Sequence, residues 1–477
     1  MTNITRRSAL TYATLGTLSA CASAGFPVAG SREKPNIIFI MADDLGYADL
    51  SCYGRDDFST PHLDRLAKSG VKLTSSYANS PVCSATRTAL ITGRYQYRLP
   101  VGMEEPLGLR DMGIPLEHAT LPSLLKNAGY TTSLVGKWHL GMAPEYSPLR
   151  NGYDTFWGFR GGGLDYFTHS AGGRHDLWDG DLETHEVGYM TDLIGNHSVE
   201  LIDNYARGGK PFFLSVHFSA PHWPWETPND EAEAQRLAQS RNPWAIAHYD
   251  GGDAETYAAM VKSLDDQVGR ILRAVERNNL ESNTIIVFTS DNGGERFSKI
   301  WPFSGRKGEL LEGGLRVPTL VRWPGVTTAG STSAEPVMSM DWLPTFLAAA
   351  GGHEAPDYPS DGIDVTSALA GGTLPERTLC WRYKFQSQEA CRKGKWKYLK
   401  IAGNTFLFNV EADPLERANR KHRDPEIYAD LVETYQSWNG GMLQYTPETF
   451  SHGMSGAEIA DRYGVVQEPP NIPQLKK

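Results

Sequence analysis

The chain has 477 residues, 40% hydrophobic and 21% charged, enough length and apolar content for one large domain with a smaller satellite. Its 46 basic and 56 acidic side chains leave a formal charge of −10, and no basic block offsets it, which excludes nucleic acid as a partner. Twelve tryptophans and 21 tyrosines fit either a core or a surface that stacks on sugar rings, and composition does not choose between them.

Residues 1–30 carry Arg6 and Arg7, an apolar run from Ala9 to Ala20, and then "LSAC". The run is too short to span a bilayer and reads as an export signal. The arginine pair weakly resembles a twin-arginine signal. "LSAC" resembles a lipobox, with cleavage before Cys21 and lipidation of that cysteine; the alternative is an ordinary signal peptide cut at the nearby "ASA". Either way the expected location is the periplasm or cell envelope, with membrane contact only through the lipid anchor. Four cysteines then remain, and Cys380 and Cys391 are left open as a disulfide or two thiols.

From residue 33 to about 350, buried strands alternate with helices. "NIIFIM" (36–41), "TTSLVG" (131–136), "PFFLSVHF" (211–218) and "TIIVFTS" (284–290) are continuous apolar strands. "TPHLDRLAKSG" (60–70), with Thr60 as cap, and "TLPSLLKNAGY" (120–130) read as helices. Val261, Leu264, Val268, Ile271, Leu272 and Val275 give residues 256–278 a helical apolar face. This alternation predicts an α/β fold, a large mostly parallel sheet sandwiched by helices. Residues 351–465 change style. "RTLCWRY", "KWKYLKI" and "TFLFNV" read as short strands and "PEIYADLVETYQSW" as a helix, so a smaller antiparallel sheet with a helix is expected there, followed by a tail at 466–477.

Ligands of open α/β sheets bind at the carboxyl ends of the strands, and polar residues collect at those ends here. Asp43 and Asp44 follow the first strand, Lys137 and His139 another, His222 a third, and Asp291 and Asn292 a fourth. Adjacent carboxylates repel unless a cation lies between them. Two oxygen-donor pairs without a thiolate or imidazole partner suit a hard cation, Ca²⁺ or Mg²⁺, better than zinc. In "SPVCSATRTALITGRY", Cys83 opens a short helix that stops at Gly93, with Arg87 one turn on. A helix start attracts anions and lowers a thiol's pKa, so Cys83 reads as a nucleophile beside a fixed positive charge. A small buried structural cysteine is the alternative for that block alone.

Six blocks in order, "DDLGYADLSCYG", "PVCSATRTALITGRY", "GKWHLG", "APHWP", "SDNGG" and "GRKGELLEGGLRVP", resemble the formylglycine-dependent sulfatases of the alkaline-phosphatase superfamily. "KGKWKYLK…LFNVEADPLERAN" resembles that family's second domain. The resemblance implies that a maturation enzyme converts Cys83 to formylglycine (3-oxoalanine). Arg87 then stabilises it, and Asp43, Asp44, Asp291 and Asn292 hold Ca²⁺ together with the modified Cys83. It implies too that Lys137 and Lys307 grip sulfate oxygens, that His139 is a base, and that His222 protonates the leaving alcohol. One hydroxyl of the hydrated aldehyde attacks sulfur to give a covalent sulfo-enzyme, and the second expels sulfate. Ala85 stands where most members have proline, which leaves open which maturation system acts.

The Gly- and aromatic-rich stretch 156–181 resembles the family's variable leaving-group segment. Asp165, His169, Arg174 and His175 are its candidate substrate contacts, with Trp223 and Trp225 bordering the cleft. The alternative is that Phe156, Trp157 and Trp178 simply pack the loop. The expected reaction is hydrolysis of a sulfated carbohydrate. Phosphonate monoester or phosphodiester hydrolysis and a non-catalytic glycan-binding lipoprotein are the rivals.

Overall fold

The computed structural model describes residues 34–450, apart from 107, 109, 241, 243 and 244. The export segment with Arg6, Arg7 and Cys21, and the tail 466–477, lie outside the described residues.

Five parallel strands form the middle of a ten-stranded sheet. In spatial order they are Thr284–Ser290, Asn36–Ala42, Phe212–His217, Thr131–Lys137 and Thr155–Phe159. Antiparallel pieces finish both ends. Thr319–Arg322 pairs with Thr284–Ser290 and with Val71–Leu73, and the hairpin Trp178–Asp179/Leu182–Glu183 joins the far side.

The first strand shows why the apolar runs are continuous. Ile38, Ile40 and Ala42 enter one hydrophobic cluster and Ile37, Phe39 and Met41 the other, all at most 1% exposed. Both faces of a parallel sheet are covered, so neither side of the strand tolerates polar residues. Helices Met190–Gly208 and Ala254–Arg277 supply Ile194, Ile202, Val261, Leu264 and Val268 to the first cluster. Leu121–Asn127 and Trp342–Ala350 supply Leu121, Leu125, Phe346 and Leu347 to the second. No helix among the described residues is long and apolar enough to cross a membrane. Thr60 precedes the helix Pro61–Ser69 but does not cap it; its hydroxyl accepts from the Ser51 N–H instead.

The C-terminal sheet has four antiparallel strands where the sequence reading gave three: Thr378–Tyr383, Gln388–Lys393, Trp396–Ile401 and Asn404–Asn409. The unforeseen strand, "QEACRK", has too few apolar residues to advertise itself. Only Ala390 and Cys391 are apolar, and its pairing comes from its neighbours. One face of this sheet packs under helix Pro425–Gly440 through Cys391, Tyr398, Leu407, Leu431 and Tyr435. The other packs through Leu379, Trp381 and Phe408 against Tyr77, Val82, Ala85 and Ala89, beside and along the Cys83 helix. Cys380 and Cys391 are direct cross-strand partners, thiols with sulfurs 3.2 Å apart.

A buried charge cluster joins this sheet to the loop that carries Lys307. Lys397 Nζ lies 2.8 Å from Glu312 and 2.9 Å from Glu416, with all three side chains fully buried. Glu312 also accepts from Tyr77 Oη at 2.6 Å and from Arg316. Burial alone would raise the Glu312 carboxyl, but Lys397 and Arg316 outweigh it and hold the group well below the usual range. Removing one partner of such a cluster strands the other charges in apolar surroundings. Lys397→Met is therefore expected to destabilise the protein by about 3–5 kcal/mol, measured as urea-unfolding free energy. A loss below about 1 kcal/mol, the scale of a surface pair, would refute the cluster's role.

Candidate active site

Strand register brings the acidic pairs together. Ala42 is level with Ser290 on the neighbouring strand, so Asp43–Asp44 and Asp291–Asn292 leave the sheet side by side. Met41 is level with His217, and His217 with Gly136, which brings Lys137 to the same edge. The loop after the first strand is folded around a residue that the sequence reading passed over. Asp49, fully buried, accepts from the Gly46 and Lys299 N–H groups, Ser298 Oγ, Tyr257 Oη and Arg55. Asp44 and His139 sit at φ of 62° and 56°. Side chains rarely adopt that region, and such conformations concentrate at functional sites.

Cys83 begins the helix Cys83–Thr92, and all ten residues of that helix are buried. Arg87 sends Nε and Nη2 to Asp291 Oδ2 at 3.1 and 2.8 Å, and Nη1 to the Lys137 carbonyl at 3.3 Å. Lys137 Nζ is 2.6 Å from Asp43, and Lys307 Nζ 2.7 Å from Asp44. His222 Nε2 lies 3.6 Å from that same Asp44 oxygen, while Nδ1 bonds to the Trp223 carbonyl at 2.7 Å. Donor atoms of Asp43, Cys83 and Asp291 all fall within 4.8 Å of one another. The fold thus brings Cys83, Arg87, Lys137, His222, Lys307 and the four oxygen-donor residues together. His139, buried and with neither ring nitrogen hydrogen-bonded, feels the charges of Lys137, Arg87, His222 and Lys307.

Electrostatics corrects one expectation. The helix start does not activate the Cys83 thiol: burial pushes it up to about 12, against the lowering effect of Lys137 and Lys307. Desolvation of a thiolate outweighs the helix dipole here, so the cysteine stays protonated at neutral pH. His139 and His222 are held well below the usual histidine range, first by burial and then by the neighbouring lysines, so both are neutral. Burial raises Asp43, whereas Arg87 and Lys137 overcome burial at Asp291 and keep it ionised.

The donor set fits a hard divalent cation. Asp43 Oδ1 and Asn292 Oδ1 are buried oxygens without a hydrogen-bond donor, and the Asp43 carboxylate shares one donor cluster with Asp291 and Cys83 and a second with Asp44 and His222. Another acid close by, Glu295, was overlooked although it lies three residues past Asn292. It is 4% exposed, neither oxygen has a hydrogen-bond partner, and burial pushes its carboxyl up to about 7 while Lys307 draws it down.

The substrate-contact expectations in the variable loop fare differently. Asp165 is buried and accepts from the Phe167 and Thr168 N–H groups, and His169 is buried with Nε2 on the Gly188 carbonyl. Both build the loop. His175 is tied to the Thr184 carbonyl at 2.7 Å and stacks on His185, and Arg174 is exposed. Trp225 is buried against Tyr257 and Phe297, whereas Trp223 packs on the His222 ring, centroids 4.1 Å apart. Phe156 and Trp157 are core. What reaches the site is backbone. A Cβ on Gly162 would come within 2.7 Å of the His139 ring, and one on Gly163 within 3.1 Å of His222. The loop lies directly on both histidines: a Cβ at 162 would force the His139 ring aside, and one at 163 would press on the His222 ring.

The sulfatase family profile matches residues 35–352. The chain belongs to the sulfatase family of the alkaline-phosphatase superfamily and is a sulfuric ester hydrolase. Mouse arylsulfatase J is 31% identical over 87% of this chain and 77% of its own. Dog N-acetylgalactosamine-6-sulfatase is 30% identical over 96% of this chain and 95% of its own. The solved structure of Ps i-CgsB in complex with k-i-k-neocarrahexaose has a TM-score of 0.78 at 32% identity, covering 90% of this chain and 98% of that one. The phosphonate monoester hydrolase of Agrobacterium radiobacter, 22% identical with a TM-score of 0.60, shares the fold.

Below the glycine loop lies a carboxyl pair. Tyr166 N–H donates to Glu226, which is fully buried and lies against Asp165; burial first, then the Asp165 charge, push Glu226 up to about 9. The folded protein keeps this proton while the unfolded chain loses it near pH 4.5, so stability falls as pH rises between about 5 and 9. Glu226→Gln, a neutral isostere, is expected to gain stability over the wild type with rising pH, by up to about 1.4 kcal/mol per unit. Melting curves at pH 5, 7 and 9 measure this, and a pH-independent difference would refute it.

Proposed function

We propose that the protein hydrolyses a sulfate ester of a carbohydrate, through a formylglycine made from Cys83. The observation that carries this reading is the convergence of Cys83, Arg87, Lys137, His222 and Lys307 on three buried carboxylates. The names of the relatives support the carbohydrate part: N-acetylgalactosamine-6-sulfatases at about one third identity, and a structural neighbour bound to neocarrahexaose.

In this structure Cys83 Sγ stands where the aldehyde oxygens would be. The hydrated aldehyde would supply one hydroxyl to attack sulfur and a second to release sulfate. Asp43, Asp44, Asp291 and Asn292 would hold Ca²⁺, whose charge helps polarise the sulfate group. Lys137, Lys307 and Arg87 supply positive charge where negative charge would accumulate on the ester oxygens. His139, neutral and with free ring nitrogens, suits removal of a proton. His222 is held neutral partly by Lys307 and Lys137. An anionic ester offsets those lysines, raises the imidazole, and prepares Nε2 to hand a proton to the departing alcohol. With its thiol pushed up to about 12, Cys83 is a poor thiolate nucleophile, which fits a precursor that is oxidised before use. Export as a lipoprotein through Cys21, and recognition by a maturation enzyme despite Ala85, belong to the same reading. Ala85 is buried against the C-terminal sheet in the folded chain, so recognition would come before folding.

The peptide containing Cys83, from protein produced in an exporting bacterial host, is expected to carry a hydrazide-reactive aldehyde. Cys83→Ala is expected to lower sulfate release from sulfated oligosaccharides by at least about 10³-fold with an unchanged melting temperature. A fully active Cys83→Ala would end this account, and faster turnover of a phosphonate monoester at equal concentration would move the reaction centre to phosphorus.

Metal removal gives a second test. Ca²⁺ added to chelator-treated protein at ~100 times its Kd is expected to stabilise the fold by about 2.7 kcal/mol, read as a rise in melting temperature, and to restore sulfate release. An equal rise with Mg²⁺ at that concentration would overturn the preference for calcium.

A further inference from the structure

The C-terminal sheet holds two cysteines that the active site does not use. Cys380 and Cys391 are register partners on the neighbouring strands Thr378–Tyr383 and Gln388–Lys393. The edge strand shows which kind of pair they make. The N–H groups of Cys380 and Arg382 turn away from Gln388–Lys393 and donate to Tyr95 Oη at 3.3 Å and Tyr97 Oη at 3.1 Å. Cys380 and Cys391 therefore face each other at a non-hydrogen-bonded position, where opposite Cα atoms lie about 4.5 Å apart and side chains come closest. That spacing falls inside the range of about 4.4–6.8 Å that a disulfide spans without moving the backbone. The sulfurs are already in contact at 3.2 Å, and theirs is the only sulfur–sulfur contact among the described residues. Cys52 packs against a different hydrophobic cluster, and the Cys83 helix lies on the opposite face of the sheet.

We propose that Cys380 and Cys391 form a structural disulfide, a covalent clamp across the edge of the sheet that braces the Cys83 helix. The step is a pair of thiol–disulfide exchanges with a donor disulfide. One cysteine thiolate attacks a donor sulfur and expels the first donor thiolate. The second cysteine then attacks the mixed disulfide and expels the other. Two protons and two electrons pass from the protein to the donor, which leaves as two thiols. Compartments outside the cytoplasm supply such donors, and residues 1–30 read as an export signal. Burial sets the order of events. In the folded chain both cysteines are at most 1% exposed, under Leu431 and Tyr435 of helix Pro425–Gly440. The exchange therefore precedes docking of that helix, and the finished bond is shielded from reductants. The closed loop is short, residues 380–391, so the bond adds a modest increment of stability. Trp381, next to Cys380 on the opposite face, donates Nε1 to the Ala78 carbonyl at 2.9 Å, so clamping the edge strand also holds a contact on the approach to Cys83.

The test maps the thiols of the full chain recovered from the exported fraction of a bacterial host, unfolded in urea with iodoacetamide and cut with trypsin. The peptides Thr378–Arg382 and Phe385–Arg392 are expected joined through their cysteines, with Cys52 alkylated. Dithiothreitol added to the folded protein should leave the link intact, and the same reductant in urea should cleave it. The exported protein should melt about 3 °C above the same chain recovered from the reducing cytoplasm. In the double variant Cys380→Ala, Cys391→Ala the two fractions should melt together. Alkylation of both Cys380 and Cys391 in the exported protein overturns the proposal, as does a link from either one to Cys52 or Cys83. A joined pair with no gain in melting temperature over the cytoplasmic chain overturns the clamp. The peptide map decides the bond even if the double variant does not fold, and neither readout depends on sulfate release.

Discussion

Three carboxylates, those of Asp43, Asp44 and Asp291, lie side by side with at most 1% exposure, and the rest of the active site answers that charge. Unpaired, they would protonate or drive the pocket open, since like charges a few ångströms apart in a water-poor interior cannot all stay ionised. Arg87, Lys137 and Lys307 bring three positive charges to them. Protein charges alone then leave the pocket nearly neutral, so a divalent cation tips it positive and makes it receptive to an anionic ester. Burial first, and then the same cations, keep His139 and His222 unprotonated.

Everything around this centre keeps it dry and fixed. The ends of parallel strands set the level of the acidic pairs, Asp49 gathers the first loop, and Gly162 and Gly163 lay backbone over the two histidines. The C-terminal sheet braces the Cys83 helix from the side and pins the Lys307 loop through Lys397 and Glu312.

Much of this was readable in the chain. Strands buried on both faces have no polar alternation, so "NIIFIM" and "TIIVFTS" announced themselves, and the residues just past them formed the site. Less was readable where the signal was not local. "QEACRK" became a strand because its neighbours pair with it. Nothing in the string marked Glu226, Glu295 or Asp49, because burial is a property of the packed chain. Asp165 and His169 looked like ligand contacts because loops often carry function, but backbone N–H and C=O groups nearby engaged them first.

The sequence by itself determined the doubly covered sheet, the residue types at the strand ends, and the chemistry those types permit, since these follow from apolar patterning and the choice of functional groups. Only the tertiary structure decided that the Cys83 thiol is raised and not lowered, that both histidines are neutral, and which carboxylates face each other. Those outcomes depend on desolvation and on distances between residues up to 263 positions apart, and a linear string carries neither.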